Sequence, residues 1–299
     1  MEDGGTGSRA RAFLLVTVVY VAALAAALVA GRGVSGRHPI TVAAAADVVA
    51  TLVVFAASRT FSNSSLYDPY WSVAPPAIAA YFALAAPTEM AVALRQVVVL
   101  ALVFAWAVRL THNWARGWTG LAHEDWRYVD MKRRSGRLYW PVSFLGIHLF
   151  PTVMVLLGCL PLWPALATGT RPFGAIDLVA ALVTLAGIAL ELAADAQLRR
   201  FRLSGPPAGA ILDTGLWAWS RHPNYFGEIL FWWGLALFGL AAAGPIWWIP
   251  LGAVAITAMF LLASLPLIET RMAERRGERW AAYCERVPRL VPRPPRSRS

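Results

Sequence analysis

Residues Trp219–Gly234 read WSRHPNYFGEILFWWG. An arginine, a histidine, an asparagine and a glutamate stand there directly against an apolar run of the kind that lies in lipid. Pro223 suits the first turn of a helix, because the N–H it lacks would be unpaired there in any case. The stretch therefore reads as a helix with an apolar body and a polar mouth carrying Asn224, Tyr225 and Glu228. Asn224 and Glu228 are four residues apart and share a face, so an amide and a carboxylate can grip one polar ligand together. A helix N-terminus also attracts phosphate through its free N–H groups and its dipole, and Arg221 would add to that attraction. Blander roles exist for two of these residues. Glu228 could be a helix-start acid favoured by the dipole by about 0.3–1 kcal/mol, and His222 an interfacial histidine satisfied by a carbonyl.

The surrounding composition places that helix in a membrane. The chain has 299 residues, 58% hydrophobic and 15% charged, with a mean hydropathy of +0.53. This is too apolar and too poor in charge for an ordinary soluble domain. Apolar blocks fall at roughly 12–30, 40–58, 73–86, 91–110, 140–163, 174–193, 226–243 and 246–265. Lipid demands that backbone groups be paired within each segment, so the fold expected is all-α, a polytopic transmembrane bundle of seven or eight helices. The third block is short, and the last two form a tight hairpin at Gly244-Pro245. One integral membrane domain spanning 1–299 is expected, with the first helix retained and 293–299 a flexible basic tail near anionic headgroups.

The net charge of +10 does not indicate nucleic acid, because the aromatics sit inside apolar blocks and not among the basic residues. Of the 27 Lys and Arg, seven fall in 109–137, four in 199–221 and nine in 271–298. Such clustering marks the cytoplasmic side, although Arg32 and Arg37 in the first outer loop dissent mildly. An even helix count with both termini cytoplasmic fits it. The cysteines, Cys159 in an apolar block and Cys284 in the basic C-terminal region, are expected at different depths and unbridged.

Function in membrane proteins concentrates where ionisable groups are kept near the apolar layer despite their cost. Three segments qualify. In Thr111–Gly136, Trp114, Trp118, Trp126 and Tyr128 alternate with charges. An interfacial aromatic belt explains the rings, whereas Glu124-Asp125 beside Arg127 is more natural in a loop that closes on a ligand. In Glu191–Gly205, Glu191, Asp195 and Arg199 lie along one helix face with Arg202 close to it. A solvated helix end with local ion pairs would look the same. The third segment is the opening stretch. No His/carboxylate set has metal spacing and no phosphate-binding glycine loop is present.

With these residues in place, the chain resembles a known family. WSRHPNYFGEILFWWG, preceded by ADAQLRRFR and followed by ETRMAERRGERWAAYCERVPRLVP, is similar to the C-terminal signature of the membrane-embedded steroid 5-alpha-reductase superfamily, in its bacterial branch. The similarity extends through SLYDPYW, NWARGW and EDWRY and covers roughly residues 60–292. What it implies is an NADPH-dependent reductase that transfers hydride to a carbon–carbon double bond, often an enone, in a lipophilic steroid-, sterol- or isoprenoid-like substrate, with cytoplasmic loops over the cofactor. Carried over residue by residue, it implies cofactor contacts from Asp195, Arg199, Arg202, Asn224, Tyr225 and Glu228, with Arg221 and His222 beside them and Asn113, Arg116, Arg127 and Tyr128 in the loops. The expected location is a bacterial inner membrane.

The family's proton donors, a Glu and a Tyr near the second and third helices, are not matched here. The corresponding stretch offers Tyr67, Asp68, Tyr70 and Trp71, of which Tyr67 and Asp68 are the catalytic candidates. Asp68, just ahead of a proline, is either a protonated acid if desolvated or a helix cap. Two rival readings remain. Isoprenylcysteine carboxyl and phospholipid methyltransferases share a related Arg-His-Pro-x-Tyr signature and use it to hold S-adenosylmethionine. A transporter would set polar residues facing one another at mid-membrane, and Asp47 is the one obvious buried acid in the first half, able to pair with a backbone or hydroxyl group.

Overall fold

The computed structural model describes residues 4–87 and 92–294, with side chains from residue 8 onward in the first helix. It is an all-α polytopic bundle, and no strand occurs among the described residues. Among the described residues, seven helical runs are long and apolar enough to cross a membrane. In chain order the helices are α1 (Gly4–Gly33), α2 (Pro39–Thr60), α3 (Tyr70–Leu84), α4 (Ala93–Gly117), α5 (Trp126–Ser135), α6 (Tyr139–Ser143), α7 (Phe150–Cys159), α8 (Ala175–Leu203), α9 (Pro223–Ala243), α10 (Leu251–Met259), α11 (Leu265–Arg276) and α12 (Glu278–Arg286). Helices α5 to α7 are joined by a π-helical segment, Phe144–Leu149, into one continuous run, a second π segment, Pro164–Thr168, follows α7, and a third, Phe260–Ser264, joins α10 to α11.

The short third block is α3, whose 15 residues rise about 22 Å at 1.5 Å each. That falls short of a hydrocarbon core of about 30 Å. It still runs the height of the bundle, since it starts beside the polar end of α4 and is buried along Tyr70, Ala74, Ile78 and Phe82. The hairpin at Gly244-Pro245 is present, with α9 ending at Ala243 and Gly244 at φ +83°, a conformation suited to glycine. Both ends of the described chain come to the same end of the bundle. Arg9 donates to the Ala115 carbonyl at 2.9 Å, and the Arg293 N–H donates to the Trp219 carbonyl at 2.9 Å. Arg293 is thus pinned, contrary to the expectation of a tail loose from 293. Residues 295–299 of that tail lie outside the described residues.

What positions the polar mouth is the contact between α8 and α9. They run antiparallel with their backbones close. A Cβ on Gly187 would meet the Gly227 carbonyl oxygen at 2.6 Å, and one on Gly227 would meet Glu191 Cγ at 2.6 Å. Gly234 is pressed against Thr184 in the same way. In lipid, where no hydrophobic drive separates helix from lipid, such small residues let dispersion contacts and polar pairs hold helices together. The glycines of the opening stretch therefore bring Glu191 and Asp195 of α8 alongside Asn224 and Glu228 of α9.

Candidate functional site

A cavity of about 600 Å³ opens at the arginine-rich end of the bundle. Its walls come from the turn before α3 and the first residues of α3, from α4, α5, α8 and α9, and from the π segments Phe144–Leu149 and Phe260–Ser264 with their flanks. Of the residues the sequence points to, it gathers Tyr67, Asp68, Asn113, Arg127, Tyr128, Asp195, Asn224, Tyr225 and Glu228. Arg116, Arg199, Arg202, Arg221 and His222 are not in its lining.

At its centre is a residue that sequence reasoning passed over, Arg109 of α4. It pairs with Glu191, with Asp195 at 3.1 Å and, more loosely, with Glu228 at 3.8 Å. Asp195 also accepts from Asn113 Nδ2 at 3.1 Å and from Asn224 Nδ2 at 3.2 Å. The set is incompletely paired, since Arg109 Nε, Glu191 Oε1 and Asn224 Oδ1 are buried without a partner. Unpaired polar atoms at such depth cost about 1–3 kcal/mol each, so they call for a partner, water or ligand, in the cavity they border. The available signal was an arginine inside the apolar stretch Ala93–Gly117, four residues before Asn113 and so on the same face.

Glu228 sits differently from its neighbours. Three indole N–H groups donate to it, from Trp71 at 3.0 Å, Trp106 at 3.1 Å and Trp232 at 2.9 Å. Trp106 in turn stacks on Phe231 with ring centroids 4.3 Å apart. Glu228 is therefore more than a helix-start acid: it ties α3, α4 and α9 together while still lining the cavity.

Across the cavity, the stretch SLYDPYW forms a 3₁₀ turn, Ser64–Tyr67, capped by Asn63 through its bond from the Ser65 N–H at 2.8 Å. The loop before α5 is stitched onto this turn. Asn63 Nδ2 donates to the carbonyls of Leu121 and His123, and Glu124 accepts the Ser64 N–H at 2.8 Å. Asp125 caps α5 and pairs with Arg127 at 2.8 Å. This accounts for Glu124-Asp125-Arg127 as a closed loop over the cavity. Asp68 is not the cap of α3, where Pro69 stands without a side-chain bond. It accepts from Tyr128 Oη at 2.8 Å, and burial pushes its carboxyl up to about 7 despite that bond, with Asp125 adding in the same direction. Tyr67 is buried, held well above the usual phenol range by desolvation, donor or acceptor to Thr152 at 2.6 Å and stacked on Tyr70.

Arg221 and His222 face away from the cavity. Glu269 of α11 holds Arg221 at 2.8 Å, His222 at 3.2 Å and Arg289 at 3.1 Å. Arg221 also donates to Cys284 Sγ at 2.8 Å, and its backbone N–H to the Pro288 carbonyl at 2.9 Å. The two residues thus fasten the C-terminal segment to the mouth of α9. The aromatic belt expected in Thr111–Gly136 is partly something else: Trp118 is buried, and Trp114 and Trp118 stack on each other and pack edge-on against Phe13 of α1. Asp47 finds its hydroxyl partner in Tyr70, at 2.6 Å, and does not line the cavity. No cluster of three or more metal-ligating side chains occurs among the described residues.

Fold and site together define an integral membrane protein with a polar, acid-lined cavity at one end of a helical bundle. The chain belongs to the family described as "Protein of unknown function (DUF1295)", whose model matches residues 54–287, a family of the steroid 5-alpha-reductase-like superfamily. It is also similar to an uncharacterized protein, C594.04c, of Schizosaccharomyces pombe, 27% identical over 279 residues that cover 86% of this chain and 80% of the relative. No solved structure matches it.

Proposed function

We propose that the protein is a membrane-bound NADPH-dependent reductase of a carbon–carbon double bond, conjugated to a ketone, in a lipophilic steroid-, sterol- or isoprenoid-like substrate. One observation carries the reading: a single cavity has Asp195, Asn224 and Glu228 on one wall and Tyr67 and Asp68 on another. Its volume of about 600 Å³ is within the range of about 300–1,000 Å³ usual for small-molecule sites.

The donor set fits the uncharged half of the cofactor. Asn224, with a free carbonyl oxygen, and Glu191, with a free carboxylate oxygen, can receive the N–H groups of a carboxamide or the hydroxyls of a ribose. The phosphates would lie toward the mouth. There Arg127 lines the wall, and Arg199 and Arg202 continue the face of Asp195 along α8. Bound there, NADPH supplies the hydride. Asp68, with a carboxyl raised to about 7, carries its proton about half the time at neutral pH. Tyr128 fixes one of its oxygens, so the other can present that proton to the substrate's ketone, with the Tyr67 ring forming the adjacent wall. Arg109 keeps Glu191 and Asp195 in register and offsets part of their charge. The arginine-rich end faces the cytoplasm, both termini lie there, and the membrane is the inner membrane of a bacterium.

A second reading has an observation in its favour. Asp68, Asp125, Glu191, Asp195 and Glu228 line the cavity against Arg109 and Arg127, and a surplus of carboxylates suits a cationic ligand such as the sulfonium of S-adenosylmethionine. Thermal unfolding of purified protein with each nucleotide separates the two, because only a bound ligand stabilises by mass action. A rise in Tm with NADPH alone supports the reductase; a rise with S-adenosylmethionine alone replaces it with a methyltransferase.

A further inference from the structure

The cavity has one apolar side, and it is built from two irregular stretches. The run α5–α7 and the run α10–α11 lie alongside each other and are tied at both ends. At one end the backbone of Gly252 rests on Leu157 and Gly158, so closely that no Cβ would fit. At the other, Arg271 of α11 pairs with Asp130 at 3.6 Å, and its guanidinium lies over the Trp126 ring at 3.8 Å. Between these ties both runs turn π-helical, over Phe144–Leu149 and Phe260–Ser264. Two π segments facing one cavity are unexpected, since such turns are rare and concentrate at functional sites.

The wall they make is apolar apart from Ser264: Gly146, Ile147 and Phe150 on one run, Phe260, Ala263 and Leu267 on the other. Phe150 and Leu267 line the cavity and yet are 45% and 47% exposed, and the residues flanking them outward, Leu145 and Leu262, are 60% and 79% exposed. In a span that crosses lipid, such an outer face meets acyl chains. The wall thus connects the bilayer interior to the cavity without a charged side chain in its lining.

We propose that the slot between the two π segments is a lateral portal, through which an elongated apolar molecule passes from the bilayer into the cavity, with Arg271, Asp130 and Trp126 as the clasp at its polar end. The portal deepens the reductase reading by naming the substrate's route and its apolar class, and rests on that reading only for what happens after entry. A lipid-borne substrate entering here would reach Tyr67 and Trp71 without crossing the charged mouth at Asp125 and Arg127.

The test uses full-length protein in phosphatidylcholine nanodiscs without nucleotide, so that it is independent of cofactor identity. A fatty acid with a diazirine at the end of its chain is photoactivated, and labelled residues are mapped by mass spectrometry. Labels are expected on Leu262 outside, on Phe150 and Leu267 in the slot, and on Tyr67 or Trp71 inside. Ala263→Trp, and independently Gly146→Leu, fill the slot from either wall; each should abolish the interior label while keeping the one on Leu262, which reports an intact outer surface. Interior labelling that persists in both variants, or labelling of Tyr67 and Trp71 by a charged, water-soluble diazirine instead, would overturn the portal. If NADPH proves not to bind, the labelling result still stands.

Discussion

Helix α4 carries two buried arginines, one near each end, and they are treated oppositely. Every guanidinium nitrogen of Arg95 has a partner. Its Nε and Nη2 grip Asp177 at 2.6 and 2.9 Å, and its remaining donors reach the carbonyls of Arg171 and Pro172 at 3.0 and 3.2 Å. Asp177 also accepts the Gly174 N–H at the start of α8. Arg109 faces three carboxylates, leaves its Nε unpaired and stands on the wall of a cavity. The first arrangement is closed and can only hold helices together. The second keeps hydrogen-bonding capacity in reserve, which is the condition for binding something.

Substitutions break this comparison in a definite order. Arg95→Ala leaves the buried Asp177 without its partner, and should cost about 3–5 kcal/mol of stability; the expected outcome is a large fall in Tm, with ligand affinity of the remaining folded protein unchanged. Glu228→Gln turns an amide N–H₂ toward indole N–H groups that now donate to a carboxylate. A loss of about 1–3 kcal/mol is expected, so both Tm and NADPH affinity should fall, which places Glu228 between the two sites in character. Asn224→Ala removes one bond to Asp195 and should cost under about 1 kcal/mol of stability, while weakening NADPH about tenfold, or about 1.4 kcal/mol.

At neutral pH the smallest stability effect is that of Asp68, and it grows as pH falls. Asp68 binds its proton more tightly when folded, with a carboxyl raised from 3.8 to about 7, so the folded state holds the extra proton between those values. Its contribution to stability is fully present below about pH 4 and is lost as pH rises through about 7. Asp68→Asn should flatten the stability profile in that window. In the reductase reading it should also remove the alkaline limb of kcat/KM near pH 7, because the donor must be protonated.

Most of the architecture was legible before any coordinates. Pro223 and Gly244 mark the ends of α9, the one because it lacks an N–H and the other because it takes a positive φ without strain, and apolar blocks report directly on which segments lie in lipid. The shortness of α3 was visible for the same reason. The site was legible where one helix face carries it: Asn224 with Glu228, and Glu191 with Asp195. Spacing says which residues share a face, and is silent about what covers that face. Arg221 and His222 look like cofactor ligands until Glu269, forty-odd residues on, is found beside them. For the same reason Arg95 and Arg109 differ in the sequence only by the Asn113 that shares a face with Arg109, and only the partners from α8 distinguish a strut from a site.

The central claim is that the Arg109 end of the bundle is a nucleotide site and the Arg95 end is not. Titration of NADPH into the detergent-purified protein, followed by energy transfer from tryptophan to the nicotinamide, tests it directly because Trp71 and Trp106 border Glu228. Saturable transfer in the wild type, retained by folded Arg95→Ala and weakened about tenfold in Asn224→Ala, is the predicted result. Absence of saturable transfer, or equal affinity in wild type and Asn224→Ala, would contradict it.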